Sequence, residues 1–176
     1  MFQTKQSKAL LFLVNIVSLL TFLTFAIKSN AKITPIPVSN ASLRVAIPVE
    51  IKIENLKIDL PIYQTEISNG DWEEIDYGLL HLSNTAIPGE TGNSVIYGHN
   101  TPALLGNLRN IDVGQEIVVS FSDGSFKTFV TIDSFNVTPD QTHILNTTEE
   151  TKLTIYTCNG FFDEKRFVVV AVPLDA

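Results

Sequence analysis

Residues 152–172 read KLTIYTCNGFFDEKRFVVVAV. Two runs rich in β-branched and aromatic residues, 152–158 and 166–172, flank a polar loop that opens with Asn159-Gly160. Such residues favour strands, and glycine marks the break between them. Seven residues separate Cys158 from Arg166. A loop that short makes the two strands antiparallel neighbours and sets Cys158 beside Arg166. Working back toward the N-terminus, residues 117–121 and 126–132 flank Asp123-Gly124, a strong hairpin signal. Residues 94–98 form a short apolar strand. Ile51 and Ile53 alternate with charged residues, and Leu56, Ile58, Leu60 and Ile62 alternate in the opposite phase. A turn or bulge therefore falls near Asn55. Residues 71–89 read as loops with one short helix, and 102–109 as a short helix that starts at Pro102. About eight short strands with one or two short helices imply an all-β closed barrel or sandwich.

The 176-residue chain has 44% apolar and 18% charged residues, which excludes disorder, collagen and coiled coil. Its charge is uneven. Residues 1–45 carry five bases and no acid, whereas residues 46–176 carry all 19 acids against seven bases, a balance of −12. An acidic domain argues against nucleic acid as a partner. Residues 9–27, ALLFLVNIVSLLTFLTFAI, hold no charge. At about 1.5 Å per residue they span roughly 28 Å, close to a bilayer core of about 30 Å. Lys5 and Lys8 precede the run, which orients the N-terminus to the cytoplasm. Residues 1–28 thus read as a retained signal anchor in the plasma membrane. The alternative is a signal peptide cleaved near Ser29-Asn30-Ala31, which would release a secreted protein. Residues 29–46, with Pro35 and Pro37, read as an extracytoplasmic linker, and 47–176 as the functional domain.

The chain has one cysteine, Cys158, at a strand end beside a glycine loop. One cysteine excludes a disulfide framework and a cysteine-built zinc site. The bland role is a small buried core residue, and the chemical role is a nucleophile. By period two Cys158 faces away from Leu153 and Ile155. A thiol nucleophile needs a proton-transfer partner and a group that stabilises an oxyanion. His99, at the end of the 94–98 strand, His81 and His143 are the three candidates for the first task. Arg166 suits the second, unless it is a surface residue paired with Asp163 or Glu164.

These residues resemble those of sortases, the membrane-anchored cysteine transpeptidases of bacteria. Thr154-Ile155-Tyr156-Thr157-Cys158 is similar to the family's TLxTC strand, with isoleucine for leucine. Arg166 sits where the family arginine opens the next strand. The segment from Pro88-Gly89 through Gly92-Asn93-Ser94-Val95-Ile96-Tyr97-Gly98-His99-Asn100 resembles the approach to the family's catalytic histidine. Residues 108–118, with Gly114, resemble the short helix and strand that follow. The resemblance spans residues 47–172 and implies an eight-stranded sortase-type β-barrel. It also implies His99, Cys158 and Arg166 as the catalytic residues, with Thr157, Asn100 and His81 as further candidates for substrate contact. It implies no cofactor. The acids do not match the calcium-binding carboxylates of calcium-stimulated sortases, so no metal site is expected.

The implied reaction is cleavage of an LPxTG-like sorting motif through a Cys158 thioester, followed by transfer to an amine. The implied partners are secreted proteins bearing a C-terminal sorting motif, an amine on a cell-wall precursor or a pilin, and membrane lipid around the N-terminal helix. Neither housekeeping anchoring nor pilus polymerisation is singled out. In sortases the loop before the cysteine strand, here residues 137–151, helps choose the substrate. Two other readings compete. L,D-transpeptidases also pair cysteine with histidine on β-rich folds, but with a different sequence around the cysteine. A non-enzymatic extracellular β-domain would leave Cys158 inert.

Overall fold

The computed structural model describes residues 45–67 and 72–174. The apolar run at 9–27 and nearly all of the linker at 29–46 lie outside them. Eight strands follow in order: β1 (Pro48–Ile53), β2 (Ile58–Thr65), β3 (Leu79–Leu82), β4 (Gly92–Gly98), β5 (Glu116–Phe121), β6 (Phe126–Val137), β7 (Thr151–Asn159) and β8 (Lys165–Pro173). They close into a barrel in the order β1-β2-β3-β4-β7-β8-β6-β5, with β5 returning to β1. Closure leaves no unpaired sheet edge. The β2–β3 and β4–β7 pairs are parallel, and the others are antiparallel.

Local chemistry sets the turns. At Asp123-Gly124 the backbone N–H and hydroxyl of Ser125 both donate to Asp123 Oδ1, at 2.9 and 2.6 Å. That bracket closes the β5–β6 hairpin. The expected break near Asn55 is a 3₁₀ turn over Glu54–Leu56 that ends with Lys57 in the left-handed region at φ 56°. It inverts the alternation, so Ile51 and Ile53 on β1 and Ile58 and Ile62 on β2 all enter one core.

The structure corrects three boundaries. Residues 71–89 contain strand β3, and no helix occurs among the described ones. Strand β6 runs on to Val137, through a register shift between Thr131 and Asp133. The helix expected at 102–109 is a 3₁₀ segment, Leu105–Asn110, whose Leu105 and Leu108 are buried in the barrel core.

Two apolar clusters result. The inner one includes Ile51, Ile96, Ile117, Phe129, Leu153, Ile155 and Val169. The second lies on the opposite face of the central strands, with Leu80, Val95, Tyr97, Ile144, Tyr156 and Val168. Strands β3, β4, β7 and β8 are therefore covered on both faces, which explains their near-continuous apolar sequence. Phe129 is fully buried in the inner cluster, whereas Phe126, on the same strand, is 69% exposed. Phe129→Ala should cost about 3–5 kcal/mol in chemical denaturation, and Phe126→Ala less than about 0.5 kcal/mol.

Candidate active site

The parallel pairing of β4 with β7 builds the site. Ile96 pairs with Ile155, Tyr97 with Tyr156, and Gly98 with Thr157. By period two, Ile96 and Ile155 point into the barrel while Tyr97 and Tyr156 point outward. The next residues along these strands are His99 and Cys158. Across β7 and β8, Cys158 pairs with Arg166. Three residues far apart in the chain thus meet at one end of three adjacent strands. All three line one cavity of about 270 Å³.

Two connections raise the walls of this cavity. Trp72, Glu74 and Ile75 come from the β2–β3 connection, and Pro139, Ile144 and Leu145 from the β6–β7 connection. Between them, Tyr97 and Tyr156 stack with centroids 5.4 Å apart and planes 10° apart. Trp72 stands edge-on to both, at 5.2 and 6.0 Å. Aromatic pairs in these geometries add to the gain from burial. Tyr97 Oη donates to the Glu73 carbonyl at 2.8 Å, and Thr65 Oγ1 donates to Glu73 Oε2 at 2.7 Å. Those bonds moor the β2–β3 connection to the barrel. Burial pushes the Tyr97 phenol up to about 12 and the Tyr156 phenol up as well. Both rings stay neutral near pH 7 and serve as surfaces rather than as bases.

Cys158 is half-buried and free. Burial pushes its thiol up, and the Arg166 guanidinium opposes that shift. Asp163 and Glu74 push it further up by repelling the thiolate. Arg166 Nη1 donates to the carbonyls of Asp163 and Lys165, at 2.8 and 3.0 Å. Among the described residues no carboxylate lies within ion-pair distance of it. The surface pairing with Asp163 or Glu164 is therefore replaced by a backbone bracket.

That bracket comes from a strained loop. Gly160 takes φ 88°, and a Cβ there would meet Glu164 Cγ at 2.9 Å. Phe162 and Asp163 also lie in the left-handed region, at φ 53° and 56°. Each such non-glycine residue costs roughly 1–2 kcal/mol. The fold carries this strain where it aims the Asp163 carbonyl at Arg166. Phe161 and Phe162, 77% and 89% exposed, project into solvent and do not cover the barrel.

The remaining candidates stand elsewhere. His81 is fully buried, with Nδ1 at 2.8 Å from Gln64 Oε1 and Nε2 at 3.1 Å from the Ala86 carbonyl. Strand alternation turns it away from Leu80, which does line the cavity. Burial pushes its imidazole below the usual range. It is a packing residue and not a substrate contact. Thr157 also faces inward and donates its hydroxyl to the Gly98 carbonyl at 2.8 Å, so it is not aimed at an oxyanion. Asn100 and the exposed His143 are absent from the cavity lining. Of the three histidines, His99 alone lines the cavity. Sequence reasoning missed Trp72, Tyr97 and Tyr156. The two tyrosines carried a signal, since each stands two residues before a reactive candidate on the same strand face. Among the described residues no group of three His, Cys, Asp or Glu side chains is placed to hold a metal ion.

The family model for the sortase domain matches residues 51–174. Among solved structures, sortase A from Corynebacterium diphtheriae is 27% identical with a TM-score of 0.64, over 74% of this chain and 61% of its own. The sortase D5 transpeptidase from Clostridium perfringens is 26% identical with a TM-score of 0.62, over 73% of this chain and 79% of its own. Sortase C-1 from Actinomyces oris is 26% identical with a TM-score of 0.61, over 72% and 74%. This chain therefore spans less than two thirds of the Corynebacterium enzyme's length and about three quarters of the other two. No curated protein matches the sequence. Likeness to sortases of classes A, C and D is nearly equal and selects none of them. A family match that runs the length of the barrel settles the assignment: the chain belongs to the sortase family.

Proposed function

We propose that this chain is a cysteine transpeptidase that cleaves an LPxTG-like sorting motif in secreted proteins and joins the acyl fragment to an amine. One observation carries the reading: His99, Cys158 and Arg166 line a single cavity at the ends of β4, β7 and β8. The Cys158 thiolate, its proton held on His99, attacks the scissile carbonyl, and the guanidinium of Arg166 stabilises the negative charge on its oxygen. His99 gives a proton to the departing amine. A thioester on Cys158 remains. A second amine attacks it, His99 accepts the proton, and a new amide forms as the Cys158 thiolate leaves. The aromatic and aliphatic walls suit the apolar residues of such a motif.

The acceptor is an amine of a cell-wall precursor or of a pilin subunit. Residues 9–27 anchor the chain in the plasma membrane with its N-terminus cytoplasmic and residues 47–176 outside, where secreted substrates emerge. Cleavage after the apolar run is the alternative, and would free the domain.

Three results test this reading. The full chain in detergent, mixed with LPxTG-like peptides and an amine, should gain an acyl mass on Cys158 that the amine then removes as ligated peptide. Cys158→Ala should show neither step. An acyl-enzyme that yields only hydrolysed peptide would make the enzyme a protease. Arg166→Ala should lower kcat/KM by about 10²–10³-fold, the scale of losing one oxyanion donor, and Arg166→Lys should recover part of it because the charge returns without the planar fork. Alkylation follows the thiolate fraction. Its rate at Cys158 should therefore rise through a midpoint above that of a free cysteine, because burial disfavours the thiolate. Arg166→Gln should move that midpoint higher still.

A further inference from the structure

The wall of the cavity formed by residues 138–149 is a twelve-residue stretch of the β6–β7 connection, packed on the barrel through Ile144 and Leu145 but joined to it by few hydrogen bonds. Its backbone bonds are largely internal: Gln141 N–H donates to the Thr138 carbonyl, Thr142 N–H to Asp140, and Asn146 N–H to His143. Thr138 is bracketed by Gln141 Oε1. Among the described residues, two side-chain hydrogen bonds join residues 138–149 to the rest of the barrel, and both come from Asn93; just beyond them the Gly92 N–H donates to the Glu150 carbonyl at 3.3 Å. Asn93 Nδ2 donates to the Ile144 carbonyl at 2.8 Å and to the Asn146 carbonyl at 3.1 Å. Its Oδ1 accepts from Thr154 Oγ1 at 2.6 Å.

We infer that Asn93 is a positioning residue that latches the 138–149 wall over the cavity and thereby sets how the sorting signal is bound. The side chain is 2% exposed and spends both donor protons and its acceptor. The Ile144 and Asn146 carbonyls can only accept, so the two amide protons point at the loop, and Thr154 donates to the amide oxygen on the other side. The carbonyl that Asn93 holds belongs to Ile144, whose side chain, with that of Leu145, lines the cavity. Moving that carbonyl moves the wall. Asn93 lies six residues before His99, about 20 Å along an extended strand, so it touches no reacting group. Its effect passes through the loop.

The inference rests on reading this cavity as the sorting-signal groove, and the test separates the two. Asn93→Asp keeps the shape but turns an oxygen toward two carbonyls. Thr154→Val removes only the bond to the amide oxygen. Hydrogen exchange of the 138–149 amides in the full chain should accelerate by about tenfold or more in Asn93→Asp, and by a smaller factor in Thr154→Val. The KM for the sorting peptide should rise about fivefold or more, the scale of one lost hydrogen bond. Values of kcat and the Cys158 alkylation profile should stay within about twofold. Unchanged exchange in Asn93→Asp overturns the inference. So does faster exchange spread evenly over β4 and β7, or a fall in kcat at constant KM, because each marks a merely structural role. If the wild-type chain turns over no peptide, the sorting-signal reading fails, and exchange confined to 138–149 still decides whether Asn93 is the latch.

Discussion

The register of β4 on β7 is the constraint on which the site depends. The two strands are far apart in the chain, Thr157 lying 59 positions after Gly98, and they pair in parallel. A slip of one residue would turn Tyr97 inward, turn Ile96 outward and separate His99 from Cys158. Two features resist that slip. The Thr157 hydroxyl is bonded to the Gly98 carbonyl, one residue short of His99 and Cys158. Gly98 has no side chain where a Cβ would lie 2.5 Å from Leu79 Cδ2, so β4 can approach β3 at that point. The inward side of each strand thus fixes what the outward side presents.

The site sits where the sheet is covered twice. On the inner face, Leu105 and Leu108 of the 3₁₀ segment fill the barrel beneath β4. On the outer face, Ile67 and Ile75 of one connection and Ile144 and Leu145 of the other pack in the cluster with Leu80, Tyr97, Tyr156 and Val168. Strands β1 and β5 instead mix buried residues with exposed or half-exposed ones. The cavity lined by His99, Cys158 and Arg166 forms where connections pack over the sheet, at the ends of the strands beneath. Apolar walls withdraw water from the thiol, which raises its cost of ionisation and strengthens any charge placed beside it.

Much of this was legible locally. The β5–β6 hairpin, the phase change near Asn55 and the adjacency of Cys158 to Arg166 each follow from a few neighbouring residues. What escaped is non-local or has no period. Strand β3 is four residues long and buried on both faces, so Leu79-Leu80-His81-Leu82 shows no alternation and reads as loop. Strand β6 changes register near Ile132, which hides its second half. Thr157 was drawn toward the site by its neighbour, although alternation already turns it the other way. The stacked tyrosines need the β4–β7 pairing to be known, and no short-range signal supplies a parallel pairing across such a separation. His81 could be assigned to the interior only once the partners Gln64 and Ala86 were in place.

The electrostatics of the site follow from the same economy of charge. Residues 46–176 carry seven bases against 19 acids, yet one guanidinium faces the cavity. A carboxylate paired with Arg166 would fix its position but cancel its charge. Carbonyls of Asp163 and Lys165 orient the group through hydrogen bonds and leave its net charge intact. They also do not titrate, so the orientation holds as pH changes. The cost appears in the backbone, where Phe162 and Asp163 adopt left-handed conformations to turn a carbonyl toward the arginine. A loop of relaxed residues would be more stable, but it would not aim that carbonyl. The strain sits where a full positive charge is held beside a thiol whose ionisation burial disfavours and that charge favours.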